Sequence, residues 1–205
     1  MVVIIDYGMG NLFSVKNALE ALGAEVTISK NPEDLKRADH IILPGVGAFP
    51  DGMKNLKEIG IIPALEEEVL KNKKPFLGIC LGSQLLASEG EEHELTSGLG
   101  WIKGRVRKFK VNENQFRIPH VGWNDVSPVS ESSLFKGIDS NIFYFVHSYF
   151  IIPENPEVVA ATCEYGEKFT VAVEQENIFG VQFHPEKSQK SGLKLLKNFL
   201  NYARK

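Results

Sequence analysis

Up to Cys80 the chain alternates short, wholly apolar runs with segments of helical periodicity, and this alternation restricts the fold more than any other feature. Val2–Ile5 is β-branched and stops at the turn Asp6-Tyr7-Gly8-Met9-Gly10. Leu12, Val15, Ala18, Leu19 and Leu22 follow at helical spacing, with Gly23 as the C-cap. Residues 26–28 read as a second strand, and Asn31-Pro32-Glu33-Asp34 as an N-cap with proline in the first helical position. Ile41-Ile42-Leu43 is a third strand, stopped by Pro44-Gly45-Val46-Gly47. A helix over residues 63–72 precedes the run Pro75-Phe76-Leu77. Strands that are apolar on both sides need cover on both faces, so they belong to a parallel sheet with helices above and below.

The second half has a different texture. Strand formers and turns dominate from Trp101 to Phe183, with strands expected over 106–111, 142–146, 158–161, 170–173 and 178–183. These read as hairpins or mixed sheet added to the α/β core, and residues 192–200 as a closing amphipathic helix. No repeat or linker interrupts the chain. The expectation is one α/β domain over residues 1–205, with a central mixed, mostly parallel sheet flanked by helices and extended by antiparallel strands.

Composition removes several classes of function. Hydrophobic residues make up 43% and charged residues 24%, with a net charge of −3, so nothing points to a nucleic-acid or membrane partner. The start Met1-Val2-Val3-Ile4-Ile5-Asp6 lacks the basic, long apolar pattern of a signal peptide. Cys80 and Cys163 form no disulfide framework and lack the His/Cys companions of a zinc site. A reducing, cytoplasmic setting is expected, with no metal and no cofactor.

Chemistry concentrates at Gly78-Ile79-Cys80-Leu81-Gly82. A reactive residue between glycines, where a strand turns into a helix, describes a nucleophile elbow. The turn leaves no room for flanking side chains, and the helix N-terminus favours thiolate over thiol. The other reading is a buried structural cysteine. Gly8-Met9-Gly10 places Phe13 where a dinucleotide fingerprint needs its third glycine, so no nucleotide site is expected there. Pro44-Gly45-Val46-Gly47-Ala48-Phe49 reads either as an ordinary strand-end turn or as a loop offering backbone N–H groups to an oxyanion. Beside an elbow cysteine the second reading is the better one.

A thiol nucleophile needs a base, and the base an orienting group. His40 begins a strand, and His93 sits in the acidic run Glu91-Glu92-His93-Glu94. His184 ends the apolar run Phe179-Gly180-Val181-Gln182-Phe183 and is followed by Pro185 and Glu186, a carboxylate that can fix the imidazole tautomer. Its competing reading is a surface turn. Asp6, Asp51 and Asp125 follow the strand-end logic less well.

The elbow, the 44–47 loop and His184-Pro185-Glu186 together resemble the class I glutamine amidotransferases, along essentially the whole chain. Within that class, Asp6-Tyr7-Gly8-Met9-Gly10-Asn11, Pro119-His120-Val121-Gly122-Trp123-Asn124, Tyr144-Phe145-Val146-His147-Ser148-Tyr149 and His184-Pro185-Glu186-Lys187-Ser188 resemble the glutaminase subunits of imidazole glycerol phosphate synthases. The resemblance implies that Cys80 attacks the carboxamide of glutamine, that His184 moves the protons and that Glu186 holds His184. It assigns the oxyanion to backbone N–H groups of Leu81 and of Gly45, Val46 and Gly47. Gln84, Glu92, Ser148 and Tyr149 match positions that contact substrate glutamine, and His120 and His147 fall in subfamily motifs as interface or positioning residues.

The implied partner is a barrel-shaped cyclase subunit that carries ammonia to a bound ribonucleotide, giving imidazole glycerol phosphate and an aminoimidazole carboxamide ribotide. Ser83 and Ala87 depart from the usual Met and Phe without removing a catalytic group. Three alternatives remain: a paralogous subunit feeding another synthase such as a surface-sugar amidination enzyme, a non-catalytic regulatory domain of the same fold, and a cysteine peptidase or esterase. The intact Cys80, His184 and Glu186 speak against the regulatory domain, and the matches at Gln84 and Ser148 against the hydrolase of large substrates.

Overall fold

The strands Val2–Ile5, His40–Gly45 and Phe76–Cys80 of the first half are buried on both faces because nearly every residue in them is apolar. In β1 (Val2–Ile5), Val2 and Ile4 enter one core while Val3 and Ile5 enter the other. A computed structural model describes residues 1–112, 114–129 and 132–202. After β1 come α1 (Leu12–Glu20), β2 (Val26–Ser29), α2 (Pro32–Arg37), β3 (His40–Gly45), α3 (Phe49–Glu58), α4 (Ile62–Leu65), β4 (Phe76–Cys80) and α5 (Leu81–Gln84). The second half holds β5 (Ala87–Gly90), β6 (Thr96–Ser97), β7 (Ile102–Lys108), β8 (His120–Pro128), β9 (Ile142–His147), β10 (Tyr149–Pro153), β11 (Val159–Glu164), β12 (Lys168–Gln175), β13 (Ile178–Val181) and α6 (Gln189–Leu200).

Nine strands form the main sheet in the order β2-β1-β3-β4-β13-β12-β11-β8-β9. The pairs from β2 through β13 are parallel, and those from β13 to β9 antiparallel. A second sheet, β10-β7-β5-β6, packs beside it. One core lies under α1 and α6 and the other under α3 and α5. This is the expected α/β architecture with its antiparallel extension.

Several elements differ from the sequence reading. Helix α3 follows the 45–48 loop directly and was given no element in the sequence reading; its buried face is Phe49, Gly52, Met53 and Leu56. The helix expected over 63–72 begins as α4 and widens into a π-helical stretch over Glu66–Lys71. Strand β7 ends at Lys108 and β13 at Val181, each short of its expected limit, while β5, β6, β8 and β10 lie where the sequence reading places no strand. In β8 most side chains are exposed or half-buried, so no apolar run marks it.

The approach to β4 is anchored by a buried ammonium group. Lys74 Nζ donates to the carbonyls of Leu35 and Lys36, both at 2.7 Å, and pairs with Glu68 at 2.7 Å. All three of its hydrogens are thereby used, tying the end of α2 to the segment entering β4. Asn177 adds a second tie, donating to Val69 O and Lys74 O at 2.8 Å each. Lys74→Met leaves Glu68 buried without its counter-charge. The expected loss is about 3 kcal/mol of unfolding free energy by urea titration, and a loss below about 1 kcal/mol would show the pair to be solvated.

Candidate active site

Cys80 stands where β4 stops and α5 starts, with φ +54° and ψ −111°, a conformation that L-residues rarely adopt. The neighbouring glycines make this possible by close approach. A β-carbon on Gly82 would lie 1.8 Å from Leu43 O, and one on Gly78 would lie 2.5 Å from Gly82 O. Side chains at either position would push α5 off the sheet and relax the turn that presents the thiol. The strand-to-helix elbow read from the sequence is therefore the observed backbone.

The parallel register brings the rest of the site to the sulfur. Val181 pairs with Ile79 and Gly45 with Cys80, so the residue after β13 arrives beside Cys80. That residue is Gln182, which donates from Nε2 to Cys80 Sγ at 3.7 Å. Its Oε1 accepts from Gln84 Nε2 at 3.0 Å, and Gln84 Nε2 also donates to Tyr149 O at 2.8 Å. Two residues further on, His184 Nδ1 meets Glu186 Oε1 at 2.8 Å, with both side chains buried. The turn carrying them is held from both sides: His184 N donates to Tyr144 O at 2.9 Å, and Ser188 Oγ donates to His184 O at 2.6 Å.

Burial is the largest influence on His184 and pushes its pKa down. The attraction of Cys80 and Glu186 outweighs it, leaving the imidazole up at about 9 against an ordinary 6.5. The lift comes from Cys80 and Glu186 through both hydrogen bonding and charge, although His184 Nε2 has no partner of full hydrogen-bond geometry among the described residues. Glu186 Oε2 is likewise buried without a partner among them. Tyr7 also responds to the sulfur: burial first, then the negative charge of Cys80, push its phenol well above the ordinary range.

A cavity of about 440 Å³ opens over the sulfur. Val46, Gly47, Leu81, Gln84, Glu92, Ser148 and Tyr149 line it together with Cys80, as do Pro119, Val146 and His147. Gly45 lies one step back, inside β3, and its missing side chain makes room for Tyr7: a β-carbon there would be 2.2 Å from Tyr7 Oη. Gly47 takes φ +109° at the rim. Glu92 Oε2 accepts from Phe49 N at 2.8 Å, which pins the start of α3 to the cavity edge. Gln84, expected to meet substrate, spends both amide hydrogens on Tyr149 and Gln182. Ser83 Oγ lies 2.5 Å from where Gly180 would carry a β-carbon, so it seats α5 on β13.

Sequence reasoning passed over Gln182 and Tyr7. The available signal for Gln182 was a polar residue in an otherwise apolar strand end, but its pairing with Cys80 depends on register between segments far apart in the chain. Among the described residues no cluster of His, Cys, Asp and Glu could hold a metal ion.

A family model described as glutamine amidotransferase class-I matches residues 3–202. The chain belongs to that family. A Campylobacter jejuni relative, named imidazole glycerol phosphate synthase subunit HisH 1, is 51% identical over 98% of this chain and 99% of its own length. Subunits named HisH 2 from Pseudomonas aeruginosa and Methanococcus maripaludis are 47% and 48% identical, covering 98% and 99% of this chain and 98% and 100% of their own lengths. Among solved structures, a glutamine amidotransferase has a TM-score of 0.76 at 24% identity, covering 98% of this chain and 97% of that one. PurLQS from Thermotoga maritima has a TM-score of 0.75 at 20% identity, with coverage of 98% and 97%. These two structures share the amidotransferase fold.

Because folding raises the His184 pKa, the linked stabilisation is complete below about pH 6.5 and is lost as pH rises through about 9. Imidazole NMR should place the His184 midpoint near 9, and Cys80→Ser should bring it down toward 6.5. An unchanged midpoint in that variant would show that the sulfur does not charge the imidazole.

Proposed function

We propose that this chain is the glutaminase subunit of an imidazole glycerol phosphate synthase, hydrolysing glutamine and passing the ammonia to a barrel-type cyclase subunit. The observation that carries the reading is Cys80 on its strained elbow, open to the 440 Å³ cavity and backed by the buried His184–Glu186 pair, in a chain about half identical to HisH subunits along its whole length. The thiolate of Cys80 attacks the side-chain carboxamide carbon of glutamine. The oxyanion is met by the backbone N–H of Leu81 at the start of α5, with Val46 and Gly47 across the cavity. His184, held as imidazolium, gives its proton to the departing nitrogen, which leaves as ammonia from a γ-glutamyl thioester. Neutral His184 then takes a proton from water, whose oxygen attacks the thioester to release glutamate and restore the thiolate. Glu186 holds the imidazole by Nδ1 throughout. Glu92, Ser148 and Tyr149 line the cavity as contacts for the amino-acid end of the substrate.

The surface beside the cavity supports a partner. On the outward face of the β8–β9 pair, Val121, Trp123, Ile142 and Val146 stay exposed, with Trp123 48% accessible. Val146 and Pro119 also line the cavity, so this apolar strip reaches its edge. It is where the cyclase subunit docks and receives ammonia before it escapes to water.

A second reading shares the same chemistry: a paralogous subunit feeding a different synthase. The copy numerals in the names of the Campylobacter, Pseudomonas and Methanococcus relatives favour keeping it. Partner capture from the native lysate separates the two.

Cys80→Ser should abolish glutamine hydrolysis, by at least about 10⁴-fold, while the complex keeps synthesis from added ammonia. Glu186→Gln should lose less, about 10²-fold, because it mis-orients the base without removing it. Glutamine hydrolysis by Cys80→Ser would displace the sulfur as nucleophile.

A further inference from the structure

The face of β8–β9 opposite the apolar strip carries two buried histidines in contact. His120 and His147 are directly paired across the strands, and His120 Nδ1 lies 3.1 Å from His147 Nε2. Each end of this pair is anchored by a backbone carbonyl, which can only accept. His147 Nδ1 lies 2.8 Å from Tyr149 O, so Nδ1 carries the hydrogen and Nε2 accepts from His120. At the other end Asn124 Nδ2 donates to Glu164 O at 3.1 Å, which orients the amide, and also reaches His120 Nε2 at 3.3 Å. Both tautomers are therefore determined, and every hydrogen points the same way.

The chain does not stop at Tyr149. Its carbonyl also accepts from Gln84, Gln84 donates onward to Gln182, and Gln182 donates to the Cys80 sulfur. A continuous set of oriented hydrogen bonds thus runs from Asn124, on the strand that presents Trp123 to solvent, to the nucleophile. A charged imidazole at either position would set two N–H groups against each other at 3.1 Å or break the bond to Asn124 or Tyr149. The surroundings agree. Phe109, Phe145, Phe169 and Tyr165 pack against the His120 ring, Phe109, Phe145 and Phe169 against the His147 ring, and His147 also feels the charge of His184. Burial holds His120 down at about 4 and His147 down at about 3.

We propose that His147, seated by His120 and Asn124, is a positioning residue for the nucleophile: through the Tyr149 carbonyl it holds Gln84 and Gln182 so that an amide N–H is aimed at the Cys80 thiolate. The function of this chain of bonds rests on the glutaminase reading, and its outer end lies on the strand assigned to partner docking. The chain moves no proton, since each link has one hydrogen and one acceptor. It transmits position, so a shift of β8 changes the donor that the sulfur sees.

The test uses the whole chain without partner or glutamine, so its failure is distinct from failure of the glutaminase reading. Long-range ¹⁵N–¹H NMR of the unaltered protein should show both histidines as neutral Nδ1–H tautomers from about pH 8 to about pH 5. Protonation of either in that range, or an Nε2–H tautomer, overturns the proposal. Gln182→Met and His147→Phe should each slow iodoacetamide alkylation of Cys80 at neutral pH by about tenfold, the worth of one hydrogen bond to a charged group. The double variant should be no slower than Gln182→Met alone, because both changes cut the same chain. Additive losses, or an unaffected sulfur in a folded His147→Phe protein, would mean that the histidines support structure only.

Discussion

The carbonyl oxygen of Leu43 occupies the space that a β-carbon on Gly82 would fill, 1.8 Å from its ideal position. Backbone packs directly on backbone there, with Gly78 on β4 making a matching close contact to Gly82 O. This contact lets α5 start immediately after β4 and forces Cys80 to φ +54° at the junction. Strain at such a residue, of order 1–3 kcal/mol, persists only where the surroundings over-determine it. Here β3 and β13 flank β4 on both sides, and α5 seats on β13 through Ser83. The backbone conformation of Cys80 is thus a consequence of how closely three strands and one short helix approach.

From that point the geometry of a parallel sheet does the assembling. Strand ends in parallel register deliver their following loops to one edge, so the 45–48 loop, the elbow and the Gln182–Glu186 segment all arrive together. The antiparallel half has a different task. It leads through Ser148 to Tyr149 of the second sheet at the cavity wall, braces the His184 turn through β9, and offers an exposed apolar face beside the opening. The cysteine elbow and the exposed apolar strip are therefore built from different halves of the sheet, and the strip reaches the cavity edge at Val146.

Histidine shows how far environment outweighs residue type in this molecule. His184 and His147 are both buried, and burial pushes both down. His184 has a carboxylate on Nδ1 and the sulfur nearby, and it rises to about 9. His147 has only a carbonyl and a neutral imidazole as hydrogen-bond partners, and it falls to about 3. Burial is common to both, and the partner on Nδ1 decides whether the ring holds a second proton.

Much of this was legible in the residues themselves. Wholly apolar strands demanded cover on two faces, the Gly78–Gly82 pattern announced a tight turn around Cys80, and His-Pro-Glu placed a carboxylate within local reach of an imidazole. Each of these follows from local sterics or from the period of hydrophobicity, which a linear sequence records. The structure alone decided which distant segments lie side by side. Gln182 could not be matched to Cys80 without the β4–β13 register, and Gly45 could not be understood before Tyr7 was seen above it. Strand β8 carried no apolar run, because apolar and polar residues mix on both of its faces, with only His120 and Val126 buried and Val121 and Trp123 exposed. Sequence determined which residues could react, and long-range strand pairing decided which groups reach the sulfur, since register is set by packing across the whole sheet rather than by any neighbour in the chain.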